Sequence, residues 1–214
     1  MGSFFLTHVE TSMNFTKTAF NQLPLKRLMV RWIFISLMAF FSTAPIASEL
    51  SDLMQQPRVV LLMRHAYAPG FSDPANFVLG QCATQRNLNQ EGIEQAKKIG
   101  IWLKAQGVTQ AKVFTSPWCR CVDTATHLNY GPLVTLPALG STFNQTDSYS
   151  PAKASLTQWM KAQLERERGV PIIMVTHQVN ITAYTGVNTG TGDMVLVQVN
   201  SQGDAKVLKT ITAP

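Results

Sequence analysis

Three short apolar runs, each followed at once by polar residues, constrain this chain more than any other feature. Residues 59–63 read Val-Val-Leu-Leu-Met and lead into Arg64 and His65; residues 112–115 lead into Ser116; residues 172–175 lead into Thr176 and His177. A short, continuous, β-branched and aliphatic run marks a strand covered on both faces. Between the runs lie stretches with helical spacing. The first opens at Asn89, a residue suited to cap a helix, carries Glu91 and Glu94 near its start, repeats Ile93, Ala96, Ile99 and Leu103 on one face, and stops at Gly107. Further helices are expected from near Pro117, over residues 152–168 and after His177, with a short strand at 133–136, an irregular segment at 137–150 and closing strands at 194–199 and 206–211. This βαβ alternation predicts an α/β fold, three-layer α/β/α, with a mostly parallel central sheet and helices on both faces. With 45% hydrophobic and 14% charged residues, and 13 Gly and 11 Pro dispersed along the chain, a disordered tail, a collagen-like repeat and a coiled coil are excluded. No internal repeat is visible, and the only linker expected is residues 49–57, so residues 49–214 read as one domain.

The amino-terminal segment reads differently. Lys26, Arg27 and Arg31 form a basic flank, residues 32–41 an apolar run and residues 42–48 a small-residue tail. That is the order of a secretory signal. A bilayer-spanning helix takes about 20 apolar residues, whereas the apolar stretch ending at Ala47 is interrupted by Ser36, Ser42, Thr43 and Pro45. Residues 1–48 are therefore read as an extension plus signal peptide, cut near Ser48, with the domain exported to the periplasm or secreted. The alternative is an uncleaved anchor, which would be the chain's one tie to a membrane. Residues 1–25 match nothing: they are either a long leader or lie upstream of a true start at Met13 or Met29.

This division changes what the charge means. The chain has 18 Lys+Arg against 12 Asp+Glu, a formal +6. Four of those bases (Lys17, Lys26, Arg27 and Arg31) lie in the leader with only Glu10 to offset them, which leaves a net +3 on the domain. The remaining bases are scattered, with no run longer than Lys97-Lys98 and no interleaved aromatics. A nucleic-acid surface needs basic clustering on one face, so nucleic acid is not an expected partner.

In an open α/β sheet, ligands bind beyond the carboxyl ends of the strands. There this chain has Arg64, His65, Ser116, Arg120, Thr176 and His177. Two arginines offer planar, permanently charged donors that fit phosphate oxygens, and a neutral imidazole among them can accept a phosphoryl group. Each residue alone has a plainer reading: a histidine as a structural hydrogen bonder, Arg64 paired with a carboxylate, Arg120 solvated on a helix. Their coincidence at three strand ends is what points to a phosphate site.

Four segments in order then resemble the histidine phosphatase, or phosphoglycerate mutase-like, superfamily. Leu-Met-Arg-His-Ala (62–66) is similar to its Arg-His-Gly signature, with Ala66 for Gly. Residues 88–96 resemble its Leu-x-x-x-Gly-x-x-Gln-Ala helix start, residues 114–125 its Ser-Ser-Pro-x-x-Arg-x-x-x-Thr-Ala segment, and Val-Thr-His-Gln (175–178) its second-histidine strand end. The signal plus Arg-His-Ala layout also resembles exported heptose-phosphate phosphatases of lipopolysaccharide. The resemblance implies that His65 is the nucleophile, forming a phosphohistidine, that Arg64, Arg120 and His177 hold the phosphate oxygens, and that water completes hydrolysis without a metal or other cofactor. The implied partner is a small phosphorylated molecule, sugar phosphates included.

One part departs from the family pattern. Members near phosphoglycerate mutase carry a Glu acid after the strand at 133–136, and the phytase branch an Asp directly after the second histidine; here residues 136–144 hold no carboxylate and Gln178 follows His177. A leaving alkoxide needs a proton. Candidate acids are Asp193, Asp147 and Asp73, with Asp193 preferred because the heptose-phosphate phosphatases resembled here carry an Asp near that place; a turn-capping role is its alternative. The missing acid also leaves open a non-catalytic phosphate or phosphoglycan binder, and a mutase or phosphoprotein phosphatase stands as a further alternative.

Cys82, Cys119 and Cys121 form an odd set in an exported chain. Cys119 and Cys121 point different ways on a helix start, so a disulfide would run from Cys82 to one of them; otherwise all three are small buried hydrophobes. A zinc site at Cys119, Cys121 and His127 is disfavoured by the lack of a Cys-x-x-Cys pair and by Arg120 in its midst. The glycine-rich stretch 185–193 lacks a nucleotide-loop Gly-Lys-Ser/Thr and reads as a connection.

Overall fold

The structure, a computed structural model, describes residues 49–143, 149–164 and 169–214, excepting the side chains of 149–152. Residues 1–48, on which the signal and anchor readings fall, and Asp147 lie outside the described residues. Strand β1 (Val59–Arg64) is the axis of the fold. It pairs parallel with β4 (Ile172–Thr176) on one side and antiparallel with β5 (Met194–Val199) on the other. Beyond β4 come β2 (Lys112–Thr115) and β3 (Leu133–Thr135), both parallel, and β6 (Ala205–Ile211) pairs antiparallel with β5. The strand order is β3-β2-β4-β1-β5-β6.

Because side chains alternate across a strand, β1 feeds two cores. Val59, Leu61 and Met63 face one, with Ile173 and Val175 of β4; Val60 and Leu62 face the other, with Ile172 and Met174. Helices α1 (Glu49–Met54), α2 (Gln90–Ala105) and α3 (Cys119–His127) cover the first face through Leu50, Met54, Ile99, Leu103, Cys121 and Ala125. Helices α4 (Tyr149–Gln163) and α5 (Gln178–Thr185) cover the second through Leu156, Met160, Ile181 and Tyr184. The three-layer arrangement with a mostly parallel sheet is the one predicted. Asn89 caps α2 as expected, its Oδ1 accepting the Gly92 N–H at 2.9 Å. Among the described residues no helix is long and apolar enough to cross a membrane.

Residues 49–57 depart from expectation. Instead of a bare linker they open with α1, which buries Leu50 and Met54 in the first core. Six helical residues are too few to display a period in the sequence, and such a helix exists only through tertiary burial of its apolar pair. The helix over the 152–168 stretch begins earlier, at Tyr149, inside what was read as irregular, and is assigned only to Gln163.

Candidate active site

The carboxyl ends of β1, β2 and β4 are held level by bonds that continue the ladder past the strands. His65 N–H donates to Thr176 O at 2.9 Å, and Ser116 N–H donates to Val175 O at 2.9 Å. Three loops therefore leave the sheet side by side. Between them lies a cavity of about 200 Å³ lined by Arg64, His65, Arg120 and His177, the four residues singled out from strand ends. Arg86, Asp73 and Gln178 line it as well.

His65 is buried, and its Nδ1 lies 2.8 Å from the Ala66 carbonyl. A carbonyl only accepts, so Nδ1 carries the hydrogen and Nε2 keeps a free lone pair. Burial lowers the pKa of this imidazole to about 3; the Ala66 bond works the other way, and the charges of Arg120, Arg86 and Arg64 push it further down. It is neutral at physiological pH, as a nucleophile must be. The loop that carries it is pinned. Ala66 N–H donates to Thr124 Oγ1 at 2.9 Å, and Tyr67 N–H to Gln95 Oε1 at 2.8 Å, while Gln95 Nε2 reaches Thr191 O at 3.0 Å. Thr124 and Gln95 belong to two of the segments quoted for the family resemblance. Ala66 is fully buried with no left-handed backbone, so it tolerates a Cβ where the family signature has glycine.

His177 sits across from His65, ring centroids 5.5 Å apart, with its Nε2 2.9 Å from Ser116 Oγ. Ser116 Oγ also accepts the Trp118 N–H at 3.3 Å; when its own hydrogen goes to Nε2, the imidazole presents Nδ1–H as its donor. Burial, then His65 and the three arginines, hold His177 well below its ordinary pKa. The Cys121 thiol lies 3.5 Å from His177 Nε2, and burial pushes it up to about 12, so it is an inert packing group rather than a second nucleophile.

Three guanidiniums face these imidazoles. Arg64 Nη1 donates to Thr189 O at 2.6 Å, Arg86 Nη1 to Ala68 O, and Arg120 Nη1 to Asp73 Oδ1 at 2.8 Å. Each keeps a buried Nε–H with no protein partner. Burial first of all, with like charge from Arg120, makes Arg64 and Arg86 easier to deprotonate than in water, a sign of crowded positive charge. Arg86 was not picked out from the sequence, although a cation immediately before the Asn-Leu entry into α2 was the available signal. It lies four residues beyond Cys82, which forms a disulfide with Cys119, next to Arg120. That bridge answers the cysteine question in favour of Cys119 and removes the thiolate a zinc site there would have required; among the described residues no cluster suited to a metal ion is present.

The candidate acids fare differently. Asp193 does not line the cavity. Its Oδ2 accepts the Gly190 N–H at 2.7 Å and its Oδ1 the Ala213 N–H at 2.9 Å. This is the turn-capping role that stood as its alternative. Asp73 does line the cavity, bonded to Arg120 Nη1, to Arg86 N–H at 2.9 Å and to Trp118 Nε1 at 3.2 Å. Burial would raise its pKa, but those hydrogen bonds and the Arg120 charge outweigh burial and leave it below the usual range. It is a carboxylate that orients Arg120, not a proton donor.

Residues 60–141 match the histidine phosphatase superfamily, branch 1. No curated protein sequence matches the chain. Among solved structures, the chain resembles the protein histidine phosphatase SixA complexed with tungstate, at 19% identity and a TM-score of 0.50, covering 72% of this chain and 97% of that one. Phosphoserine phosphatase from Entamoeba histolytica is similar over 72% of this chain and 96% of its own, at 12% identity and a TM-score of 0.55. Mycobacterial glucosyl-3-phosphoglycerate phosphatase is similar over 73% and 98%, at 13% identity and a TM-score of 0.53. At these identities the structures speak for the fold alone.

Proposed function

We propose that this chain is an exported phosphomonoesterase that hydrolyses a small phosphate monoester through a phosphohistidine on His65. The observation that carries the reading is one cavity in which a neutral His65, its Nε2 lone pair free, stands among Arg64, Arg86 and Arg120. Export rests on the order of residues 26–48, with residues 1–48 as leader and 49–214 as the catalytic domain. In the first step Nε2 forms a bond to phosphorus in line with the ester oxygen, and the P–O bond breaks. Arg64, Arg120 and the His177 Nδ1–H, joined by Arg86, hold the three equatorial oxygens where charge is shared in the transition state. Water then attacks the phosphohistidine, releasing phosphate and restoring the imidazole. Two in-line displacements retain configuration at phosphorus. No step uses a metal or a cofactor.

The leaving oxygen takes its proton from water, because the only carboxylate among the described lining residues is committed to Arg120. The purified protein is therefore expected to turn over p-nitrophenyl phosphate rapidly and sugar phosphates slowly, with a steep dependence of kcat on leaving-group basicity. His65→Ala should show no turnover and no acid-labile phosphoenzyme. Equal rates with aryl and alkyl esters would reveal a positioned acid and overturn this proton route. The same missing acid favours one second reading, a non-catalytic phosphate or phosphoglycan binder: phosphate bound, with no ester cleaved by the wild type, would establish it. A mutase or a phosphoprotein phosphatase is less favoured, since phosphoglycerate and phosphorelay partners are not exported.

A further inference from the structure

We propose that the site selects monoesters whose leaving group is uncharged and apolar, and that Phe71 and Phe143 grip that group at the cavity mouth. The proposal rests on the phosphomonoesterase reading and adds the substrate class to it. Charge comes first. The described lining residues contribute three guanidiniums and one carboxylate, a surplus of two positive charges, which a phosphate monoester dianion neutralises by itself. No cation remains for a carboxylate elsewhere on the substrate.

The space next to the phosphate cavity says the same. An adjoining cavity of about 270 Å³ shares Asp73, Ser141 and Phe143 with it and is completed by Pro74, Ala75, Phe77 and Trp118. Among the described residues its only charged lining group is the Asp73 carboxylate. An anionic leaving group there meets repulsion and finds no counter-ion.

Where the charges end, aromatic rings stand beside the uncharged Ser72, Ser141 and Gln178. Phe71 is 83% exposed and Phe143 37% exposed, and their rings meet edge to face with centroids 5.2 Å apart. Both line the phosphate cavity. Behind them Phe77 stacks on Trp118 at 5.5 Å, and Trp118 in turn sets its edge against His177 at 5.4 Å. An aromatic path therefore runs from the second histidine to solvent. Exposed aromatic rings at the mouth of a charged cavity gain apolar contact only when a ligand covers them.

The test compares kcat/KM for phenyl and m-carboxyphenyl phosphate, whose phenols have similar basicity, and for cyclohexylmethyl phosphate and an aldohexose 6-phosphate, both esters of primary alcohols. Each is measured on the full chain and on the double variant Phe71→Ala, Phe143→Ala, with orthovanadate inhibition read in parallel. The expected result is a wild-type preference of about tenfold or more for the uncharged, apolar member of each pair. In the variant that preference for apolarity should shrink on the order of tenfold, through KM, with vanadate inhibition changed less than about twofold. Equal kcat/KM for the carboxylated ester, or selectivity unchanged by the two substitutions, would overturn the proposal. Absence of turnover with every ester, while vanadate still binds, would instead overturn the phosphomonoesterase reading and this proposal with it.

Discussion

Arg86 and Asp193 show what a single residue reveals in sequence and what it conceals. Arg64, His65, Arg120 and His177 were legible because each follows or lies near a strand end, and a parallel sheet brings strand ends together whatever the loops do. Arg86 follows no strand. It enters the cavity because the 67–87 loop folds back over it, held by the Cys82–Cys119 bridge and by the Arg86 N–H bond to Asp73. The reverse holds for Asp193, whose place after a glycine-rich turn suggested chemistry, while its oxygens close that turn and bind the chain terminus. If Arg86 holds phosphate as Arg64 and Arg120 are proposed to, Arg86→Ala should weaken competitive inhibition by inorganic phosphate or vanadate. A hydrogen bond to a charged group contributes about 1.5–3 kcal/mol, so the loss should be roughly tenfold to a hundredfold. An inhibition constant unchanged by the substitution would confine Arg86 to holding the loop through Ala68 O.

At the scale of elements, periodicity found the long helices and buried strands, and failed where burial rather than pattern makes the element. Helix α2 displays its cap and its buried face over sixteen residues, whereas α1 has six and depends on the core that receives Leu50 and Met54. The entry of α2 also does a job invisible in its periodicity. Gly92 lies so near the loop after His65 that a Cβ would stand 1.9 Å from the Tyr67 carbonyl oxygen and 2.9 Å from its carbon. Backbone, not a flexible side chain, is what it would strike. Gly92→Ala therefore has to push α2 away from the nucleophile loop, although alanine favours helix more than glycine does. The overpacking should prevail, costing about 1–3 kcal/mol in denaturant unfolding, and kcat should fall because the Tyr67–Gln95 bond that pins the loop is stretched. A variant as stable and active as the wild type would show that this contact is slack.

For the whole molecule, the basic balance first suggested a polyanionic partner, and the fold gives that charge another meaning. Half of the formal +6 lies in residues 1–48, and three of the remaining bases converge on one small cavity with two histidines. Sequence could bring Arg64 and Arg120 to the two histidines through the strand ends but not Arg86, because the loop that carries it is placed by the Cys82–Cys119 bridge and the bond to Asp73. Burying neutral imidazoles among guanidiniums has a consequence for global stability. His65 has a folded pKa of about 3 against 6.5 for an ordinary histidine. Between those values the unfolded chain binds a proton that the folded chain refuses, so stability is fully present above the ordinary value and is lost as pH falls toward 3. His177 shifts in the same direction. Asp73 and Glu94, both lowered, and Asp123, raised, are common to wild type and His65→Ala, so the difference between the two proteins isolates the histidine. From about pH 7.5 to about pH 4.5, wild type should lose about 2–3 kcal/mol more unfolding free energy than His65→Ala, measured by urea denaturation. Parallel pH profiles for the two proteins would mean that His65 takes up its proton in the fold without penalty, and would remove the physical basis for a neutral nucleophile held among three positive charges.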